Sequence, residues 1–162
     1  MTRKLRVAVI GAGPAGIYAA DILTKSEVEV TIDILDRDPT PFGLIRYGVA
    51  PDHPRIKEII KALKRVLSHD DIRFFGNVNY GADLKLDHLQ QFYDAVIFAT
   101  GARADRDLDI PGIDLKGSYG AADFVSWYDG HPDAPRDWPF DPAASSVAVL
   151  GVGNVGLDVA RM

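Results

Sequence analysis

The chain contains no cysteine. That removes disulfides, a thiolate nucleophile, a redox CxxC pair and Cys-ligated iron–sulfur clusters from these 162 residues. Any redox chemistry here has to be carried by a bound organic cofactor. No apolar run approaches the roughly 20 residues of a membrane-spanning helix. Surplus positive charge is also missing. At a net charge of −5 the chain offers no general attraction to nucleic acid or to an anionic membrane. No motif recurs at the short fixed period of a solenoid or propeller. The opening Met1-Thr-Arg-Lys-Leu-Arg runs almost at once into a predicted strand. It is read as leaving no room for a signal or transit peptide, and a cytoplasmic protein is expected. What remains is an ordinary globular composition, 47% apolar and 25% charged, long enough for one well-cored domain.

What the chain does have is a run, Val7-Ala-Val-Ile-Gly11-Ala-Gly13-Pro-Ala-Gly16, in which an apolar strand stops at a glycine turn and a helical pattern begins. Gly11, Gly13 and Gly16 have G-x-G-x-x-G spacing. In a dinucleotide-binding strand–turn–helix the first glycine permits the tight turn and the second lets backbone approach a pyrophosphate. The third lets the helix pack against the sheet. The pyrophosphate would face the helix N-terminus. The flanks agree: 5–10 reads as a buried strand, and Ile17, Ala20 and Leu23 share one helical face. A second apolar strand, 28–35, ends at Asp36, placed to accept hydrogen bonds from an adenosine ribose.

After Asp36 comes an irregular stretch, 37–53, longer than a compact domain usually spends on a connection. Its Phe42, Leu44, Ile45, Tyr47 and Val49 argue for a loop packed against something rather than a disordered one. Pro54 opens a predicted helix with Ile56, Ile59, Ile60, Leu63, Val66 and Leu67 on one face. Lys57, Lys61, Lys64 and Arg65 lie on the other, either a solvated face or a docking stripe for an acidic protein. The spacing predicts a strand over 72–80 bent at Gly76, a short helix over 84–93 and a buried strand in Asp94-Ala-Val-Ile-Phe-Ala-Thr-Gly101. In a parallel sheet the end of that last strand lies beside the end of the first, where Ala99, Thr100 and Gly101 would leave room for a bound dinucleotide. A short helix is expected over 121–128, and a Pro- and Asp-rich connector over 129–145.

Ser146-Val-Ala-Val-Leu-Gly151-Val-Gly153-Asn-Val-Gly156 then repeats the opening pattern of strand, fingerprint and helix. Two fingerprints imply two dinucleotide sites and electron transfer between them. The second motif has only twelve residues from Gly151 to Met162, against roughly 30 for a whole βαβ unit. The chain is therefore expected to be the front of a longer protein, or the second motif to be a remnant without ligand. Overall the pattern predicts an α/β fold, with a Rossmann-like three-layer dinucleotide-binding domain on a parallel sheet over 1–102, the domain that the resemblance given below assigns to FAD. A connector follows over 103–145, and the first strand and helix of a second Rossmann domain over 146–162, which the same resemblance assigns to NADP.

Taken together, Gly11-Ala-Gly-Pro-Ala-Gly16, the loop Pro39-Thr-Pro-Phe-Gly-Leu-Ile-Arg-Tyr-Gly-Val-Ala-Pro-Asp-His-Pro54, Phe75-Gly-Asn-Val78, the Asp94–Gly101 strand and Gly151-Val-Gly-Asn-Val-Gly-Leu-Asp158 resemble the adrenodoxin reductase-like ferredoxin–NADP⁺ reductases. These are FAD enzymes with the two-domain fold of glutathione reductase. The resemblance covers essentially the whole chain, and the long loop is its most specific part. It implies hydride transfer from NADPH to FAD and single-electron transfer to a ferredoxin-type iron–sulfur protein. It also implies that Gly13, Pro14 and Ala15 line the FAD pyrophosphate, that Asp36 holds the ribose, and that Leu44 and Val49 lie near the isoalloxazine. Val78 would lie near the adenine and Ala99, Thr100 and Gly101 alongside. Val152, Gly153, Asn154 and Val155 match the NADP pyrophosphate turn. His53 and Asp158 match a pair held together near the flavin, although His53 alone could simply cap the helix that Pro54 opens. Asp36 stands where the family usually has Glu, and Gly156 where it usually has Ala. His69, His88 and His131 have no motif around them and are expected at the surface.

Relatives such as the small glutamate synthase subunit share a similar Gly-Leu-x-Arg-Tyr-Gly signature, so a flavin subunit of a larger complex is the second enzymatic reading. A non-catalytic nucleotide-binding fragment is the third. Because the family's FAD domain is completed by a later segment, this chain alone is expected to hold FAD weakly or not at all, which a flavin absorbance spectrum of the purified protein reads directly.

Overall fold

A continuous apolar run such as 5–10 is what a strand covered on both faces looks like, and Leu5–Ile10 forms β1 inside a parallel sheet. The computed structural model describes residues 3–102, 104–106, 108–138 and 143–162. Positions 103, 107 and 139–142 of the expected connector, and residues 1–2, lie outside the described residues. After β1 come α1 (Pro14–Thr24), β2 (Val30–Leu35), α2 (Leu44–Tyr47), α3 (Pro54–Lys57), α4 (Ile59–Leu67) and β3 (Ile72–Phe75). They are followed by α5 (Leu86–Gln90), β4 (Ala95–Phe98), α6 (Ala121–Tyr128) and α7 (Asn154–Arg161). The chain divides into two compact units, Met1–Arg46 with Pro54–Gly101, and Tyr47–His53 with Ala102–Met162.

In the first unit the strand order is β3-β2-β1-β4, all parallel. Successive strand residues face opposite sides. Val7, Val9, Ile32, Ile34 and Ile72 bury one face with Ile17 and Ala20 of α1 and Leu63 of α4. Ala8, Ile10 and Leu35 bury the other with Leu89 of α5, flanked by Val78, Leu84, Tyr93 and Val96. Three layers result, and each buried aliphatic side chain contributes about 1.5–3 kcal/mol.

Several elements differ from the sequence pattern. The helix expected from Pro54 is interrupted at Glu58. The residues of α4 face the core as predicted, but the break turns Ile56 outward, 48% exposed. The strand expected over 72–80 stops at Phe75. There Gly76 is pressed against the next turn so closely that a Cβ would lie 2.7 Å from the Pro39 carbonyl oxygen. β4 is not a buried strand. Among the described residues it has a ladder partner only in β1, and Phe98 is half exposed at that edge. The helix expected over 84–93 forms only over Leu86–Gln90.

In the second unit α6 has the expected bounds, and Asp105 accepts the Ala122 N–H at 2.8 Å, capping an end whose own N-cap residue is Gly120. The strand expected over 146–150 forms no ladder among the described residues, since a strand exists only through a partner, whereas the helix after it is present as α7. His69 and His88 are exposed as expected. His131 is instead half-buried, edge-on to Tyr47 at 4.9 Å between ring centroids, and its Nδ1 accepts the Asp133 N–H at 3.1 Å. Among the described residues, no helix is long and apolar enough to cross a membrane.

Candidate functional site

β1 ends in a turn whose backbone is fixed from three directions. Gly11, at φ 111°, donates its N–H to Leu35 O at 2.7 Å. Ala99 donates its N–H to Ile10 O at 2.8 Å, and a Cβ on Gly11 would lie 2.3 Å from the Ala99 carbonyl oxygen. The Ala12 N–H donates to Asp36 Oδ2 at 2.5 Å, and Asp36 Oδ1 accepts the Asp38 N–H at 2.9 Å. Asp36 is thus buried at the end of β2 and ties the glycine turn to the segment that follows that strand.

The third glycine sits where only a glycine fits. A Cβ on Gly16 would lie 2.0 Å from Gly11 O. Gly13 is the opposite case, with nothing within 4 Å of an added Cβ. It is the N-cap of α1. Pro14 has no N–H, and the first-turn N–H groups of Ala15 and Gly16 have no acceptor within the helix. An open, positively polarised backbone surface results, of the kind that receives a phosphate.

The long loop closes over this turn. Phe42 donates its N–H to Ala12 O at 2.8 Å and is 2% exposed, and a Cβ on Gly43 would lie 3.1 Å from Gly13 Cα. Phe42 holds φ 95°, a conformation that costs a bulky residue about 1–3 kcal/mol and persists only where surroundings over-determine it. The loop is therefore packed, as its apolar content predicts. Leu44 on α2 is 58% exposed. Val78, half-buried on the sheet, donates its N–H to Asp36 O at 2.9 Å. Ala99 is half-buried, Thr100 exposed and Gly101 at φ 67°.

The second unit repeats the turn. Gly151 has φ 132°, and Gly153 (φ −77°, ψ 169°) matches Gly13 (φ −72°, ψ 176°). The Leu157 N–H reaches Gly153 O at 3.1 Å, as the Ile17 N–H reaches Gly13 O at 3.1 Å. A Cβ on Gly156 would lie 2.9 Å from Gly151 O, looser than its counterpart at Gly16. Val152 is 96% exposed, and Gly153, Asn154 and Val155 are exposed beside it.

The same unit brings together His53 and Asp158, 105 residues apart, with His53 Nε2 2.9 Å from Asp158 Oδ1. Val49, half-buried, also belongs to this unit. Two residues missed by the sequence reading complete the cluster. Arg161 donates from Nη2 to Asp158 Oδ1 at 2.7 Å, and from Nε and Nη2 to the two Asp52 oxygens at 2.5 and 3.0 Å. The hydrogen bond from His53 holds the Asp158 carboxyl below the usual carboxylate range, and Arg161 adds to this. The Arg161 hydrogen bond lowers Asp52 in the same way. The i, i+3 spacing of Asp158 and Arg161 on a helix was a signal for their half of the cluster.

A buried carboxylate in the first unit was also missed. Asp33, in the middle of β2 and 4% exposed, accepts both Arg73 Nε at 2.7 Å and Nη2 at 2.8 Å, and the Tyr93 hydroxyl at 2.8 Å. Register places Arg73 directly opposite Asp33 on β3. Burial, and then the hydrogen bond to Asp33, push the Tyr93 phenol up to about 12. The folded value lies above the ordinary 10.0, so the stability this adds is complete below about pH 10 and is lost as pH rises through about 12. Tyr93→Phe is expected to be less stable than wild type by about 1 kcal/mol near pH 8, and the two urea unfolding curves should converge by about pH 12. A gap independent of pH contradicts this.

With this geometry in place, the comparisons with known proteins fall on one family. A model described as pyridine nucleotide-disulphide oxidoreductase matches residues 5–162. The chain is 49% identical over 161 residues to a mitochondrial NADPH:adrenodoxin oxidoreductase of Arabidopsis thaliana, covering 99% of this chain and 33% of that protein. It is 47% identical to the NADPH-ferredoxin reductase FprA of Mycobacterium leprae, over 96% of this chain and 35% of the other. The structure of Mycobacterium tuberculosis FprA in complex with NADPH superimposes with a TM-score of 0.93 at 44% identity, covering 98% of this chain and 36% of that one. The chain thus spans about a third of the length of the relatives it matches. The parallel α/β sheet, the two glycine turns and a match from residue 5 to residue 162 agree: this chain belongs to the pyridine nucleotide-disulphide oxidoreductase family.

Proposed function

We propose that the chain is the front part of a reductase that takes hydride from NADPH onto FAD and passes electrons singly to a ferredoxin-type iron–sulfur protein. The observation that carries this reading is the pair of glycine turns with matching backbone, one of them braced by a carboxylate at the end of the second strand. It is supported by relatives named as NADPH-dependent adrenodoxin and ferredoxin reductases.

The residues fit the groups they would hold. The open backbone at Gly13, with the N–H groups of Ala15 and Gly16, suits a pyrophosphate, which the close packing at Gly11 and Gly16 lets approach α1. Asp36 would take the adenosine ribose, and Val78 the adenine. Leu44 and Val49 would line the isoalloxazine end, and Ala99, Thr100 and Gly101 the near side. Val152, Gly153, Asn154 and Val155 would hold the NADP pyrophosphate. Bound flavin and nicotinamide supply the hydride and one-electron chemistry. The protein's part is to orient them, with His53 and Asp158 moving or holding a proton beside the flavin.

The decisive assay is NADPH oxidation by the full-length protein with a ferredoxin and no other subunit. Turnover supports the proposal. Turnover only with a partner subunit points to a glutamate synthase-like complex, and none with any acceptor points to a non-catalytic nucleotide-binding module. A cytoplasmic location belongs to the same proposal, to be checked by fractionation.

An acidic iron–sulfur partner would meet Lys61, Lys64 and Arg65 on α4, all exposed, whereas Lys57 on α3 is half-buried. Lys61→Glu with Lys64→Glu is expected to raise the KM for the partner roughly three- to tenfold at low salt and to flatten its salt dependence. Unchanged kinetics would return α4 to being a solvated face.

A further inference from the structure

Arg161 Nη2 has three neighbours and only two hydrogens. Asp158 Oδ1 lies at 2.7 Å, Asp52 Oδ1 at 3.0 Å and His53 Nε2 at 3.0 Å. An ionised carboxylate only accepts and a guanidinium only donates, whereas an imidazole nitrogen does one or the other. Suppose first that Nε2 carries a proton. The ring then donates to Asp158 Oδ1 across 2.9 Å, and both Nη2 hydrogens go to the two carboxylates, so every acceptor is served. If Nε2 is bare, its lone pair faces the Asp158 carboxylate at 2.9 Å, and one Nη2 hydrogen has to leave an anion to meet it. The first arrangement wins on the count of charge-assisted hydrogen bonds.

We propose that Arg161 is a positioning residue for His53: by saturating Asp52 and Asp158 it keeps the Nε2 proton of the imidazole on Asp158 and leaves Nδ1 as the nitrogen that exchanges protons. The proposal rests on the reading of His53 and Asp158 as a functional pair and adds which atom acts. The proton balance is simple. The imidazolium releases its Nδ1 proton to water or to a bound partner and retains Nε2–H, and the reverse step restores it.

The surroundings hold this arrangement steady. Asp52 and Asp158 are both held low, by the Arg161 and His53 hydrogen bonds respectively, and Arg161 is raised by its bonds to them. Tyr128 on α6, whose hydroxyl senses Asp129, Asp158 and Asp52, is pushed up to about 12 chiefly by burial.

The test is nitrogen NMR of the protein labelled with ¹⁵N-histidine, with His53 identified by the resonances missing in His53→Gln. It reads the ring rather than turnover, so it stands or falls apart from the NADPH assay. In the neutral form of the ring the proton should sit on Nε2. Arg161→Gln should raise the midpoint of His53 titration by about one pH unit, from loss of a nearby charge. Arg161→Lys, which keeps the charge, should restore most of it. A neutral ring protonated on Nδ1 in the wild-type protein overturns the proposal, even where no variant folds. A midpoint that stays put or falls in Arg161→Gln overturns it as well.

Discussion

Gly11→Ala and Gly16→Ala are expected to destabilise the protein severely, whereas Gly156→Ala, the counterpart of Gly16 in the second turn, should barely register. At Gly11 two costs combine. The residue holds φ 111°, which charges an L side chain about 1–2 kcal/mol. Its Cβ would also lie 2.3 Å from a backbone carbonyl that cannot rotate away. Overpacking of that kind costs about 1–3 kcal/mol, so a loss of about 2–5 kcal/mol is expected, a large part of the roughly 5–15 kcal/mol that holds a domain together. At Gly16 the helix propensity of alanine gives back about 1 kcal/mol. The 2.0 Å approach to Gly11 O nevertheless forces α1 off the sheet and with it the buried Ile17 and Ala20. A net loss of about 2–4 kcal/mol follows. At Gly156 the approach is 2.9 Å, close enough to contact distance that propensity and crowding nearly cancel, within about 1 kcal/mol. Urea unfolding of the three variants decides it. Equal losses at Gly16 and Gly156 would mean that the two turns do not differ in tightness as described.

The parts legible in the sequence were those fixed by local rules. β1 and α6 fall where their patterns place them, because a doubly covered strand reads as an unbroken apolar run and a short amphipathic helix as a 3.6-residue period. The glycine turns were legible for the same reason, since spacing alone encodes their backbone. What was not legible depends on neighbours in space. The exposure of Phe98 follows from β4 being an edge strand, and no pattern in four residues reveals sheet order. After Phe75 the Asn77 and Val78 N–H groups turn to the Asp38 and Asp36 carbonyls of another segment. Asp33 carried the one clue available, an acid inside an apolar strand, which requires a partner. That partner, Arg73, could be named only once the register of β2 against β3 was known. His53 and Asp158 were found through a family resemblance. Arg161 and Asp52, which the same cluster needs for its hydrogen-bond balance, were not.

The other large effect expected is a separation of the two nucleotide sites. An added Cβ on Gly13 meets nothing within 4 Å among the described residues, and the same is true of Gly153. Gly13→Val and Gly153→Val should therefore fold and obstruct only what would lie against those backbones. Filling the space a pyrophosphate needs removes several hydrogen bonds to charged oxygens at about 1.5–3 kcal/mol each, enough for a loss in affinity of at least about a hundredfold. In the full-length protein, Gly13→Val should purify without flavin. Gly153→Val should keep its flavin spectrum, bleach with dithionite, and fail to bleach with NADPH. The flavin absorbance of these two variants before and after NADPH is the most direct measurement of the assignment of FAD to the first turn and NADP(H) to the second. Flavin retained in Gly13→Val, or lost in Gly153→Val, would contradict it.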